Sequence, residues 1–348
     1  FGRHSGLPIS CLFVSSPLRS KSTLRTGTTA MIIVVSNRSI NSGATDETLF
    51  QETPNERGID ELRLATADYD TTHNQWTVDL IPEPDLTEAA PPSQQLFNQV
   101  IEGVKNGSYR KTWVFFVHGF NQSFAKGLEA SWQLSQLYDV DVILFSWPSN
   151  PGGFVTDEYR RARQAAKASA NALDRTLDKL GQYLVNRPFE EIQQCPVSLN
   201  LLAHSLGNFI LESVAREPIF IPNVSLFKNL IFHQADVDNR LHEYWIDRVE
   251  YGTRLYVTIN EEDLVLKASD LINPNRLGNT VKSLNGDRPI YIDFTDGSEV
   301  GSAHNLFTEV QDNPAVVDFC RRVLHGQRGE VVPGFDFDDR VNAFRLRI

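Results

Sequence analysis

The stretch that most constrains the fold is residues 195–209, CPVSLNLLAHSLGNF. Val197 to Leu202 is an apolar run of strand length behind Pro196, and it suits a buried parallel strand. Ala203-His204-Ser205-Leu206-Gly207 is a sharp turn of mostly small residues. Asn208 to Arg216 then opens a helix, with Phe209, Ile210, Val214 and Ala215 apolar. A serine on a strand–turn–helix bend flanked by small residues is a nucleophile elbow, in which the bend lifts Oγ above the sheet edge. Ala203 and Gly207 let neighbouring backbone pass close to it. The pentapeptide alone is weak, because [GA]-x-S-x-G arises by chance about 0.2–0.3 times in a chain of this length. The strand before it and the helix after it give it weight.

Around this centre the chain alternates between strands and helices. Apolar strands are expected at Met31–Val35, Trp113–Val117, Val140–Phe145, Leu230–Gln234, Leu255–Ile259 and Ile290–Phe294, with weaker ones at Glu61–Ala65 and Trp76–Ile81. Helices are expected at Gln95–Val104, Ser123–Tyr138, Thr156–Val185, His242–Val249 and Asn305–Leu324, the last broken near Pro314. Strands alternating with helices of this length imply an α/β fold, a mostly parallel sheet covered on both faces. The expected domain is 31–326. Residues 327–348 read as a tail whose end, VNAFRLRI, could form a short edge strand.

Residues 1–30 stand apart. They hold Arg3, Arg19, Lys21 and Arg25, many Ser and Thr and no acid, and the sole methionine, Met31, follows them. They read either as sequence upstream of a start at Met31 or as a basic targeting segment. A cytoplasmic protein is expected in the first case and an organellar one in the second. The formal charge of −11 argues against nucleic acid or an anionic membrane surface as the main partner. No apolar run is long enough to span a bilayer. Cys11, Cys195 and Cys320 are isolated, with neither a disulfide framework nor zinc spacing.

A serine is a poor nucleophile without a base in reach and a group to orient that base. In parallel α/β sheets such groups gather at the carboxyl ends of the strands. His304, in the loop DGSEVGSAHN after the last clear strand, is the candidate base. Asp263, just past LYVTI, is the candidate acid, with Glu262 beside it and Asp236 at the end of LIFHQAD as rivals. All satisfy the chain order Ser, acid, His. His233 sits inside a strand and reads as a buried, hydrogen-bonded group. An oxyanion needs backbone N–H donors already in place. One is expected from Leu206 and the other from Phe120 or Asn121 in the loop HGFN, where Gly119 lets the chain turn in. His118, Asn121, Trp147 and Phe154 are candidate substrate-contacting residues, with packing as the plainer reading of Trp147.

Taken together, VFFVHGFNQSF, VILFSWPS and LLAHSLGNFIL resemble the α/β-hydrolase superfamily, and in particular its DUF900 group of predicted esterase-like hydrolases. The similarity runs from about Met31 to Leu324 and includes the opening strand ending in Ser36-Asn37-Arg38, the run Gln234–Asp238 and the segment DLVLKAS at 263–269. It implies a mostly parallel sheet of about eight strands, with Ser205 as nucleophile, Asp263 as acid and His304 as base. The expected activity is hydrolysis of a small ester through an acyl-enzyme, without metal or organic cofactor. A silent binding protein on the same fold and an acyltransferase are the alternatives. Substrate and oligomeric state are not legible.

Overall fold

Residues 113–117 and 142–145 are apolar at every position rather than at alternate ones, and the computed structural model shows why: helices cover both faces of the sheet. It describes residues 30–82, 91–150, 155–187, 195, 197–218, 225–270 and 275–347. Residues 1–29 and Phe154 lie outside these. In chain order the strands are β1 Ile32–Ser36, β2 Arg38–Ile40, β3 Phe50–Pro54, β4 Arg63–Asp70, β5 Gln75–Leu80, β6 Thr112–Val117 and β7 Asp141–Ser146. They continue with β8 Ser198–His204, β9 Phe227–His233, β10 Gly252–Ile259, β11 Pro289–Asp293, β12 Phe335–Asp338 and β13 Ala343–Leu346. The helices are α1 Pro92–Lys105, α2 Phe124–Tyr138, α3 Val155–Ala168, α4 Ala170–Val185, α5 Gly207–Arg216, α6 Glu243–Ile246, α7 Leu264–Asp270, α8 Leu306–Glu309 and α9 Pro314–Leu324.

All strands but β2 and β3 form one 11-stranded sheet in the order β12-β13-β11-β10-β9-β8-β6-β7-β1-β4-β5. From β13 to β1 every neighbouring pair is parallel. The expected count of about eight describes this parallel part. The surplus comes from antiparallel neighbours: β4 and β5 pair beyond β1, and β12 pairs with β13. Within residues 327–348, expected as a tail, Phe335–Asp338 and Ala343–Leu346 therefore join the sheet. There Phe335 packs edge-on against Phe294, ring centroids 5.4 Å apart.

Along β6 the side chains divide between two cores. Val114 and Phe116 face the layer that holds α2 and α9, while Phe115 and Val117 face α3, α4 and α5. The long helix expected over 156–185 is two helices meeting at Ser169, whose hydroxyl bonds back to Ala165 O at 2.8 Å. After β6 the chain moves to β7 on one side and returns to β8 on the other. The loops after β6 and β8 therefore flank the point where the strand order reverses, which is where open α/β sheets form their crevice. Among the described residues no helix is long and apolar enough to cross a membrane.

Candidate active site

Ser205 sits at φ +52°, in the left-handed region that residues other than glycine seldom adopt. Such a conformation costs on the order of 1–3 kcal/mol and persists only where the surroundings over-determine it. They do so here. The Ser205 N–H donates to His233 O at 3.0 Å, and its carbonyl accepts from the Asp236 N–H at 3.2 Å and from Asn208 Nδ2 at 3.0 Å. The same Asn208 amide donates to Ala203 O at 3.0 Å and His233 O at 3.2 Å, so one buried side chain staples the bend to the two strands beside it. Gly207 is required by contact: a Cβ there would stand 2.7 Å from both Val117 O and His118 O.

The loop after β6 lies directly against the elbow. A Cβ on Gly119 would fall 2.9 Å from Ser205 Cβ and 3.1 Å from His204 O. Of the two donors considered in this loop, the Asn121 N–H is taken by Ser149 O at 3.1 Å. Among the described residues no hydrogen bond takes up the N–H of Phe120 or of Leu206. Asn121 itself is exposed, at φ +56°.

His118, a candidate substrate contact, and Trp147, for which packing is the plainer reading, are both turned inward. Their rings stack at 5.5 Å and 7°, and both residues are buried. The Trp147 indole N–H donates to His118 O at 2.8 Å, and the Trp147 backbone N–H donates to His118 Nε2 at 3.2 Å. With Nε2 accepting, Nδ1–H must be the donor to Gly119 O at 3.0 Å. Burial first, and the Arg38 charge second, lower the imidazole to about 3, so it stays neutral. The pair clamps the loops after β6 and β7 together. It has no surface to offer a ligand.

Asp263 lies four residues past the end of β10 and caps α7. Its Oδ1 accepts from the N–H groups of Val265 at 2.9 Å and Leu266 at 3.0 Å. Its Oδ2 accepts from His304 Nδ1 at 2.7 Å and from Gln234 Nε2 at 3.2 Å. The four lone-pair directions of a fully buried carboxylate are thereby filled. The loop carrying His304 is fixed independently. Asn260 Nδ2 donates to Gly301 O and Ala303 O, each at 3.0 Å, and Glu309 Oε2 accepts the His304 N–H at 3.0 Å. His204, the neighbour of Ser205, donates from Nε2 to His304 O at 3.1 Å, with ring centroids 4.7 Å apart. Burial and then the His304 charge lower His204 to about 3.

The rival acids are engaged elsewhere. Asp236 accepts from the Tyr159 hydroxyl at 2.9 Å and the Ser269 hydroxyl at 2.7 Å, and buried Arg276 lies 3.8 Å away. Glu262 pairs with Lys267 at 2.7 Å at the surface. An apolar cavity of about 860 Å³ is lined by Val35, Phe115, Ile143 and Leu199 among others. These side chains belong to the bodies of the strands and not to the loops that carry Ser205, Asp263 and His304. Among the described residues no group of three or more His, Cys, Asp or Glu side chains could hold a metal ion.

A largely parallel sheet with a strained serine elbow at its reversal point defines an α/β hydrolase. A family model described as alpha/beta hydrolase of unknown function (DUF900) matches residues 93–293, more than half of the chain, and the chain belongs to that family. The match takes in Ser205 and Asp263 and ends before His304. No curated protein and no solved structure matches the chain.

Proposed function

We propose that the protein is a serine hydrolase that cleaves a carboxylic ester through an acyl-enzyme, with Ser205 as nucleophile, His304 as base and Asp263 as the acid that orients it. The observation that carries this reading is the 2.7 Å hydrogen bond from His304 Nδ1 to a buried, fully hydrogen-bonded Asp263, in a loop tied to the residue before Ser205. A base held by Nδ1 presents Nε2 for proton transfer, as the triad logic requires.

In the first step the Ser205 hydroxyl gives its proton to His304 Nε2 as Oγ bonds to the ester carbonyl carbon. The N–H groups of Phe120 and Leu206 receive the oxyanion, the latter at the N-terminus of α5 where the helix dipole adds to it. His304 returns the proton to the departing alcohol, then takes one from water, whose oxygen attacks the acyl-enzyme carbonyl; His304 passes that proton to Ser205 Oγ as the acyl–Oγ bond breaks and the acid leaves. Family membership supports hydrolase-type chemistry. Labelling by a fluorophosphonate probe, which reacts with activated serines, tests the assignment. Native protein is expected to label, and Ser205→Ala and His304→Ala are not. Folded native protein that does not label would favour a silent site. Labelling that survives His304→Ala would place the base elsewhere.

A further inference from the structure

Behind Asp263 lies a closed chain of buried polar groups that the reaction just described does not use. Gln234 follows β9 at φ +41°, again left-handed for a residue other than glycine, and is fully buried. Its amide bridges two elements, with Nε2 on Asp263 Oδ2 at 3.2 Å and Oε1 accepting from the Thr258 hydroxyl at 3.2 Å. Flipping the amide would turn its oxygen onto the carboxylate and its NH2 onto the hydroxyl hydrogen, so the network itself sets the orientation.

Thr258 is saturated in turn. Its Oγ1 accepts from the Gln234 N–H at 3.1 Å and pairs with His233 Nδ1 at 2.8 Å. His233 can only donate there, because its Nε2 accepts the Leu306 N–H at 3.2 Å. Leu306 lies two residues beyond His304, so the chain begins beside the base and returns to the carboxylate that the base binds. Burial, then the charges of His204 and His304, hold His233 well below the ordinary histidine range, which keeps it neutral with a fixed tautomer.

We propose that Gln234 is a positioning residue: its amide, oriented by Thr258 and His233, holds the Asp263 carboxylate in register with His304 and shares its Oδ2. This rests on the reading of Asp263 and His304 as parts of a hydrolytic site. A carboxylate with one donor on Oδ2 could swing toward His304 or away from it, and misplacement of about 1 Å in such a site costs on the order of 100-fold in rate. The positive end of the amide dipole also opposes a proton on the imidazole bound to the same oxygen. Besides Asp263, the ionisable groups facing His304 are His204 from β8, His233 from β9 and Glu309 from its own segment.

The test compares full-length native protein with Gln234→Met, Thr258→Val and Thr258→Ser, each checked for folding by circular dichroism. Two readouts are taken: the NMR titration of the His304 ring, and the pH profile of the fluorophosphonate labelling rate. In Gln234→Met the His304 ring is expected to titrate at higher pH by roughly one unit, with labelling slowed at least tenfold. Thr258→Val should follow in the same direction, and Thr258→Ser, which keeps the hydroxyl, should match the native protein. If Gln234→Met does not fold, the two Thr258 variants decide between the outcomes. Unchanged titration and labelling in folded variants would overturn the proposal while leaving the hydrolase reading intact. A shifted titration in a protein that never labels would sink the hydrolase reading and uphold the positioning role.

Discussion

Lowering the pH from 7 to 5 should destabilise this protein through histidines that the fold keeps neutral. His118 is 1% exposed and held down to about 3, with its Nε2 lone pair already occupied by the Trp147 N–H. The unfolded chain takes up that proton below about 6.5. The folded state therefore has its full stability above pH 6.5 and loses it as pH falls toward 3, since stability drops wherever the unfolded state binds more protons. One such group is worth roughly 1.4 kcal/mol per pH unit, or about 2 kcal/mol by pH 5. His204, also lowered to about 3 but only partly buried, adds a smaller share because solvent screens it. His233 and His242 act with the same sign. The carboxyls of Asp141 and Glu212, raised by burial, act oppositely and trim the effect at the acid end. Urea unfolding of native protein and His118→Gln at pH 7 and pH 5 isolates the main contributor. The native protein should lose about 2 kcal/mol more than the variant over this interval, at unchanged m-value. Equal losses in the two proteins would refute the argument that His118 is held neutral by burial.

Three further outcomes follow from the geometry. Asp263→Asn places an amide NH2 against donors on His304, Gln234 or the first turn of α7, and should slow probe labelling on the order of 10⁴-fold while native circular dichroism is kept. Gly207→Ala forces a methyl to within 2.7 Å of two carbonyl oxygens and should lower the urea-unfolding free energy by about 1–3 kcal/mol. Deleting residues 327–348 removes Phe335 from its place against Phe294 and Phe319 and bares the β11 edge. That loss is worth roughly 3–5 kcal/mol from Phe335 alone, and calorimetry and gel filtration should show a lower Tm and association. A truncated monomer melting like the full chain would mean the hairpin is dispensable.

The sequence by itself determined what local pattern can carry. The strand, the turn of small residues and the helix around Ser205 are contiguous, and so are β6 and the loop His118-Gly119-Phe120. Their apolar periods and their glycines announce the elements, because sheet burial and close backbone approach act on neighbours in the chain. The order Ser, acid, His together with a place near a strand's carboxyl end narrowed the acid to Asp263, Glu262 and Asp236. Which of them meets His304 depends on how β10 and the loop after β11 lie beside each other, and in the tertiary structure the carboxylate that meets it is Asp263. The same reason hid the rest. Gln234, Thr258 and Asn208 are ordinary polar residues whose partners come from other strands. His118 and Trp147 carried the residue types of a binding pocket, yet their burial was settled by two loops far apart in the chain stacking on each other. The C-terminal hairpin is short and polar along most of its length, and it becomes a strand pair only because β11 offers an edge to complete. Local sequence states which groups are available; the pairing of distant strands states which of them touch.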